Sequence, residues 1–197
     1  MPIIGLLSGA SAKGYGGLGA SLVQLPTTGF ISIQSTTVSG TAANVTFSSI
    51  PATYKHLQIR AVARTDGTGV SQPMFMRFNG ATTTYHNQGF ISNQTGLNFV
   101  PYNGFDSGIY MQRAAAATAS ASYFGSSIIN IIDYATSKHK TCVAEVGGSM
   151  AGGSSSNFSV GPYGGTWQDT AAITSIVITP QSGSWVTNTV FSLYGIF

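Results

Sequence analysis

The sequence predicts an all-β protein: an antiparallel two-sheet sandwich of jelly-roll type, preceded by an extended, glycine-rich N-terminal arm. Two observations support this fold class. About ten segments alternate apolar and polar residues or are rich in β-branched residues, and they recur at a spacing typical of sandwiches. The chain also has 197 residues, which is enough to bury the core of such a sandwich without disulfides or metal sites. A chain of this length is expected to form a single domain of that class.

The first half of the predicted domain consists of alternating strands separated by turns. The segment 74–78 is apolar and ends at Asn79-Gly80, a dipeptide that favours a two-residue hairpin turn. The segment 82–91 is therefore predicted to pair with 74–78. Three earlier strands are predicted at 30–35, 44–48 and 54–64.

The second half is less regular. Residues 87–108 mix Gly, Asn and aromatic residues and are predicted to form a long loop with short strands, and 113–121 to form a loop or a short helix. The β-branched run 127–134 is typical of a central strand that is buried on both faces. Further strands are predicted at 139–147, 158–161, 172–180 and 190–197.

Residues 1–27 differ from the rest and are predicted to form an anchoring arm, with the sandwich domain over 28–197. Glycine at this density does not support a helix or a packed strand on its own, but it lets the backbone lie close to a neighbouring subunit. The opening residues lack the basic segment and the apolar length of a secretion signal, so secretion by that route is not expected. The side chains expected to bind a partner subunit are Ile3, Ile4, Leu6, Leu7, Tyr15 and Leu18.

The low charge argues against several classes of partner. Average soluble domains carry about 25% charged residues, whereas this chain carries 7%. Such a surface favours a subunit that is covered by its neighbours in an assembly. Basic residues do not form a run that could follow a nucleic-acid backbone, and no apolar stretch is long enough to span a membrane. Neither nucleic acid nor a membrane span is therefore expected.

The residues that could support metal or nucleophilic chemistry are few. Cys142 cannot pair within the chain, and it is expected to be a small buried apolar residue. His56, His86 and His139 do not have the spacing of a metal motif. No metal, cofactor or catalytic residue is predicted, and a structural role is favoured over an enzymatic one.

Two alternatives remain open from the residues. Asp133 and Glu145 come from neighbouring strands and could form the carboxylate pair of a glycosidase, although an ion pair of Asp133 with a nearby lysine, Lys138 or Lys140, is the simpler role. Aromatic side chains in glycine-rich loops could stack on sugars or proteins, which would make the domain a carbohydrate-binding module. The candidates for such surface recognition are Tyr102, Phe105, Tyr163 and Trp167.

Several segments match a known domain in their order and spacing: 44–51, 54–60, 76–80, Trp167, 172–178 and 191–196. Through them the chain, from Phe30 to its end, resembles a β-sandwich domain found in structural proteins of tailed bacteriophages. The resemblance implies a virion component made in the host cytoplasm: a tail-fibre or tail-appendage subunit, or a capsid decoration (cement) protein. It also implies a homotrimer that contacts other virion proteins, with a host surface glycan as a further partner.

Overall fold

A computed structural model describes residues 29–93, 96–102, 108–149 and 158–197, and every regular element within these ranges is a β-strand. The predicted arm, 1–27, lies outside the described residues. The strands are β1 (Phe30–Thr37), β2 (Val45–Phe47), β3 (His56–Ala63), β4 (Ser71–Phe78), β5 (Tyr85–Asn93), β6 (Gly96–Tyr102), β7 (Ile109–Ala115), β8 (Gly125–Ile132), β9 (Lys140–Ser149), β10 (Phe158–Val160), β11 (Tyr163–Trp167), β12 (Ile176–Pro180) and β13 (Val190–Ile196).

The strands form two antiparallel sheets that pack together, as the sequence predicts. The large sheet has nine strands and begins in the order β1-β13-β3-β8-β9. The small sheet has four strands in the order β2-β12-β4-β7. The inward-facing side chains of both sheets belong to one continuous apolar cluster.

Four strands of the large sheet and the four strands of the small sheet have matching orders, and the path of the chain explains the match. Along the large sheet, β1, β13, β3 and β8 are neighbours, and along the small sheet β2, β12, β4 and β7 are neighbours. At each position the two strands are consecutive in the chain. Four segments therefore cross from one sheet to the other and keep the same neighbours in both. We call these eight strands the bent half.

The remaining strands, β5, β6, β9, β10 and β11, widen the large sheet beyond β8, and we call them the sheet extension. Strands β10 and β11 act as one interrupted strand between β9 and β5. Val160 lies opposite Gly147, and Tyr163 lies opposite Ala144, so the register with β9 continues unchanged across the break. The break falls at Pro162, which has no N–H to donate to a neighbouring strand.

The core of the bent half follows from period-two alternation. On β3, Leu57, Ile59 and Ala61 face the small sheet, because successive side chains of a strand point to opposite sides. Between β12 and β13 the chain places Trp185 at the crossing point of the sheets. Its ring is buried against Phe191, with the ring centroids 5.1 Å apart.

The predicted hairpin at Asn79-Gly80 is wrong. Both residues have the positive φ that this turn requires, 50° and 73°. However, β4 pairs with β12 and β7 in the small sheet, whereas β5 belongs to the large sheet. The Asn79 side chain accepts hydrogen bonds from the backbone N–H groups of Thr174 and Ser175. These bonds hold the turn against the segment just before β12. After the turn, the chain continues into β5 of the large sheet.

Three other predictions about local structure need correction. Residues 113–121 do not form a helix; the first of them complete β7, and the buried Ala114 and Ala115 pack in the core. Residues 87–108, predicted as a long loop with short strands, contain most of β5 and all of β6, so the strands are longer than predicted. Strand β8 is buried on one face only, since Ile129 and Ile131 lie in the core whereas Ile128 and Ile132 are exposed.

Candidate functional site: the outer face of the large sheet

The outer face is the side of the large sheet that points away from the core, and it carries an apolar patch. On β3, β8 and β9 the residues between the buried positions point outward. Val62 is 47% exposed, Ile128 40% and Val143 38%. Apolar side chains on a monomer are commonly exposed singly, but a contiguous patch marks an interaction surface. Val62, Ile128, Val143 and Ile132 lie diagonally next to one another on β3, β8 and β9, and we call these four residues the apolar patch.

A polar network on the same face fixes the position of one arginine. The Nε of Arg60 donates to the Oε1 of Gln58 at 2.9 Å, and the Nε2 of Gln58 donates to the Oδ1 of Asn130 at 2.9 Å. The guanidinium also lies over the rings of Phe30 and Tyr194, 5.2 and 5.1 Å from their centroids. These contacts hold the Arg60 cation on the surface without pairing it with a carboxylate.

Glu145 lies on the same face, two strands away from Arg60. Ile128 on β8 is opposite Arg60 on β3 and opposite Glu145 on β9, so the three residues form one row across the sheet. Within the described residues, the ion pair between a lysine or arginine and a carboxylate is that of Lys138 with Asp133, and Glu145 makes none. A cation and an anion therefore flank Ile128, and neither is neutralised by an ion pair with another described residue.

Asp133 lies just after β8, at the end of the sheet. It forms an ion pair with Lys138 at 3.2 Å, as predicted, and this hydrogen bond holds the pKa of its carboxyl below the usual value. Its backbone N–H donates to the Nδ1 of His56 at 3.0 Å. Glu145 is opposite Ile128, five residues before Asp133, which separates the two carboxylates by roughly 16 Å along the sheet. A glycosidase pair needs about 5–9.5 Å, so these residues are not brought together as one.

Lys140, the other lysine considered as a partner for Asp133, is instead buried in the core. Its ammonium donates to the carbonyl oxygens of Thr136, at 2.6 Å, of Lys138, and of Thr170, at 3.3 Å. Burial lowers the pKa of the Lys140 ammonium. The alternation of β9 could have indicated this position, because Lys140 has the same parity as the inward-facing Cys142 and Ala144.

The prediction that Tyr163 and Trp167 lie in glycine-rich loops is wrong, and so is their possible role in surface recognition. Both lie on β11 with their side chains in the core, 2% and 1% exposed. Trp167 stacks on Tyr85 with 6.2 Å between ring centroids, and Tyr163 lies 4.8 Å from Tyr110. They face inward because the alternation of β11 continues through the two glycines between them. In the sequence, the same two glycines favour a loop. Neither ring is available to a ligand at the surface.

The other predicted binding residues are not placed by the structure. Tyr102 lies in β6, where its backbone is opposite Asn87, but its side chain is outside the described part. Phe105 is outside the described residues altogether. The same holds for the partner-binding residues expected in the arm, which are Ile3, Ile4, Leu6, Leu7, Tyr15 and Leu18.

Cys142 is a small buried apolar residue, as predicted. It is 1% exposed, and burial raises the pKa of its thiol, so the thiolate that a nucleophile requires is disfavoured. Over the ranges that the structure describes, no three His, Cys, Asp or Glu side chains are grouped so that they could hold a metal ion.

A shallow pocket of about 300 Å³ lies along the connection between β1 and β2, over residues 36–46. Hydroxyl groups and backbone dominate its lining, which includes Thr37, Ser39, Thr41 and Asn44. These groups can form hydrogen bonds with a polar ligand. None of the lining side chains is an acid or a base that titrates near neutral pH.

Comparison of the chain with protein-family models, with curated proteins and with solved structures finds no match in any of the three. Among the described elements, all of which are strands, there is no helix that could cross a membrane.

Proposed function

We propose that this chain is a non-enzymatic structural subunit of a tailed-bacteriophage particle, a small tail-fibre or tail-appendage protein or a capsid-surface protein, anchored by residues 1–27. The observation that supports the proposal best is the apolar patch on the outer face, in a chain of which only 7% is charged. A protein that works alone in water gains nothing from such a face, whereas a subunit buries it against its neighbours.

The finer architecture is part of the same proposal. Four segments cross between the sheets and keep their order in both, which is the arrangement of a long ribbon folded over on itself. That order supports assignment of the sandwich to the jelly-roll type. The resemblance in sequence to tailed-phage proteins gives three as the expected copy number.

Deletion of residues 1–27 tests the anchoring role. The shortened chain should keep the thermal stability of the full chain but should no longer be incorporated into particles. A matched variant that keeps the length of the arm and replaces Ile3, Ile4, Leu6 and Leu7 with serine should fail in the same way, because burial of these side chains supplies the binding energy. Normal incorporation of both variants would refute anchoring by the arm.

The sequence leaves two alternatives to a tail protein: a capsid decoration protein and a carbohydrate-binding module. A capsid decoration role differs from a tail role only in location, so an image of particles that carry a labelled subunit distinguishes them. A carbohydrate-binding module would depend on four aromatic residues at the surface, and two of these, Tyr163 and Trp167, are buried in the core. No contact in the described residues favours that module over a structural subunit.

A further inference from the structure

We propose that the outer face of the large sheet binds the same face of a second copy of this chain, with a twofold axis that runs parallel to β8, between the two facing sheets and over Ile128. The inference deepens the proposed function, and it rests only on the part of that function that concerns self-association. It names the surface and the partner, which the sequence does not.

The charges on the face are self-complementary under this symmetry. Arg60 and Glu145 lie one strand to either side of Ile128, about 4.8 Å away in opposite directions. A twofold axis along β8 exchanges these two positions between the facing sheets. Arg60 of each copy then lies opposite Glu145 of the other, and one interface contains two such pairs.

The arginine is prepared for this contact. Its guanidinium is oriented by Gln58 and by the rings of Phe30 and Tyr194, so little side-chain freedom remains to be lost when a partner binds. Glu145 is exposed and makes no hydrogen bond within the described part of the chain, so it can accept one from a partner without breaking a contact. A charge pair across an interface gives it both register and orientation.

The apolar patch supplies the remaining contact. Val62, Ile128 and Val143 lie on adjacent strands around the axis, so Ile128 of the two copies would meet at the centre. Three strand positions on each side of β8 overlap between the two copies, which makes the shared face about 29 Å wide and about 24 Å long, or roughly 700 Å². A stable interface buries about 600–1,000 Å² on each partner, so this overlap is large enough.

The choice of a second copy over another protein rests on this charge pattern. A surface shaped for a different protein has no reason to place opposite charges symmetrically about one central residue. Because the symmetry is twofold, the complex contains an even number of copies. A trimer held together by other surfaces would be joined to a second trimer through this face.

Charge reversal tests the inference on the full-length chain. Arg60→Glu and Glu145→Arg should each weaken self-association by about tenfold or more, since each places like charges opposite one another at both pairs. An equimolar mixture of the two variants should associate about as well as the wild type, because every pair in a mixed complex is complementary. The mass in solution, measured by light scattering and by sedimentation, reports both effects.

The double variant Arg60→Glu/Glu145→Arg should also restore association, which excludes the loss of the stacking on Phe30 as the cause. Lys55→Glu makes the same change in charge at the end of the sheet, off the face, and should have no effect. A wild-type chain that stays monomeric at millimolar concentration would overturn the inference. So would association that is unchanged in both single variants, or that the mixture does not restore. None of these results bears on incorporation into particles, which the arm deletion tests separately.

Discussion

The bent half and the sheet extension bury their inner faces by different means. In the bent half, the inward residues are mostly aliphatic, such as Leu57 and Ile59 on β3 and Ile129 and Ile131 on β8. In the extension, polar groups and aromatic rings share the inner face. The side chains buried there include Tyr85, Asn87, Lys140, Tyr163 and Trp167.

This difference shows two ways of covering one sheet. In the bent half the two sheets keep the same strand order, and the side chains between them are mainly apolar, with a few buried polar groups such as Ser127, whose hydroxyl donates to the carbonyl of Met111. The small sheet does not widen with the extension, whose strands lie beside and beneath its last strand, β7. There, buried side chains form hydrogen bonds with backbone groups that no neighbouring strand pairs. Each such bond makes the extension dependent on one particular residue.

The largest effect is expected from Trp185→Ala in the bent half. The substitution removes a fully buried ring from Phe191 and a hydrogen bond from the indole to the carbonyl of Ile178, at 3.2 Å. We expect the free energy of unfolding to fall by about 3–5 kcal/mol. Chemical denaturation measures this, and Tyr123→Ala, at an exposed aromatic residue, should change it by less than about 0.5 kcal/mol. Equal losses of unfolding free energy for Trp185→Ala and Tyr123→Ala would contradict the importance of apolar burial in the bent half.

A smaller loss is expected from Asn87→Ala in the extension. The Asn87 amide donates to the carbonyl of Gly108 at 2.9 Å and accepts from the N–H of Tyr110 at 2.8 Å, and both contacts are buried. Two backbone groups would lose their partners, at a cost of about 2–4 kcal/mol. Asn130→Ala removes one hydrogen bond on the outer face, where water can replace it in the separate chain, and at concentrations too low for self-association it should cost about 1 kcal/mol or less. Hydrogen exchange should place the loss of protection for Asn87→Ala in β5 and β7.

How far the sequence predicts the fold depends on the same division. Alternation is a local property, so most strands of the bent half, and their inward residues, follow from the sequence alone. Alternation could not have corrected the predicted hairpin at Asn79-Gly80. The backbone of the turn itself is as predicted, but the segment that binds the Asn79 side chain is distant in the chain, and β5 belongs to the other sheet. In the extension, Gly164 and Gly165 give β11 the composition of a loop, although its register is that of a strand.

The candidate site was missed for a related reason. The run of isoleucines in β8 predicts burial on both faces, and it does not reveal that one face has no covering layer among the described residues. The row of Arg60, Ile128 and Glu145 joins three strands, and their register follows from pairings that are distant in the chain. The sequence predicts surface recognition by the aromatic residues of β11 instead, although large aromatic side chains are favourable to bury in the core.

Tyr85 joins the two regions, and its substitution is expected to have the smallest effect at neutral pH. Its hydroxyl oxygen accepts the backbone N–H of Phe78 in β4 at 2.9 Å, and its ring stacks on Trp167 in β11. Tyr85→Phe keeps the ring and leaves that N–H without an acceptor, at a cost of about 1–2 kcal/mol. Asn130→Ala again serves as the control, because it alters the outer face and leaves this junction intact.

The pH dependence separates the hydroxyl from the ring. Burial raises the pKa of Tyr85 from 10.0 to about 12, so between these values the folded chain keeps a proton that the unfolded chain has lost. Unfolding releases this proton, and stability therefore falls as the pH rises from about 10 towards 12. In Tyr85→Phe this fall should be shallower, by up to one proton in the slope of unfolding free energy against pH. An unchanged slope would mean that the Tyr85 hydroxyl is open to water in the folded chain, and that Tyr85 joins the two sheets through its ring alone.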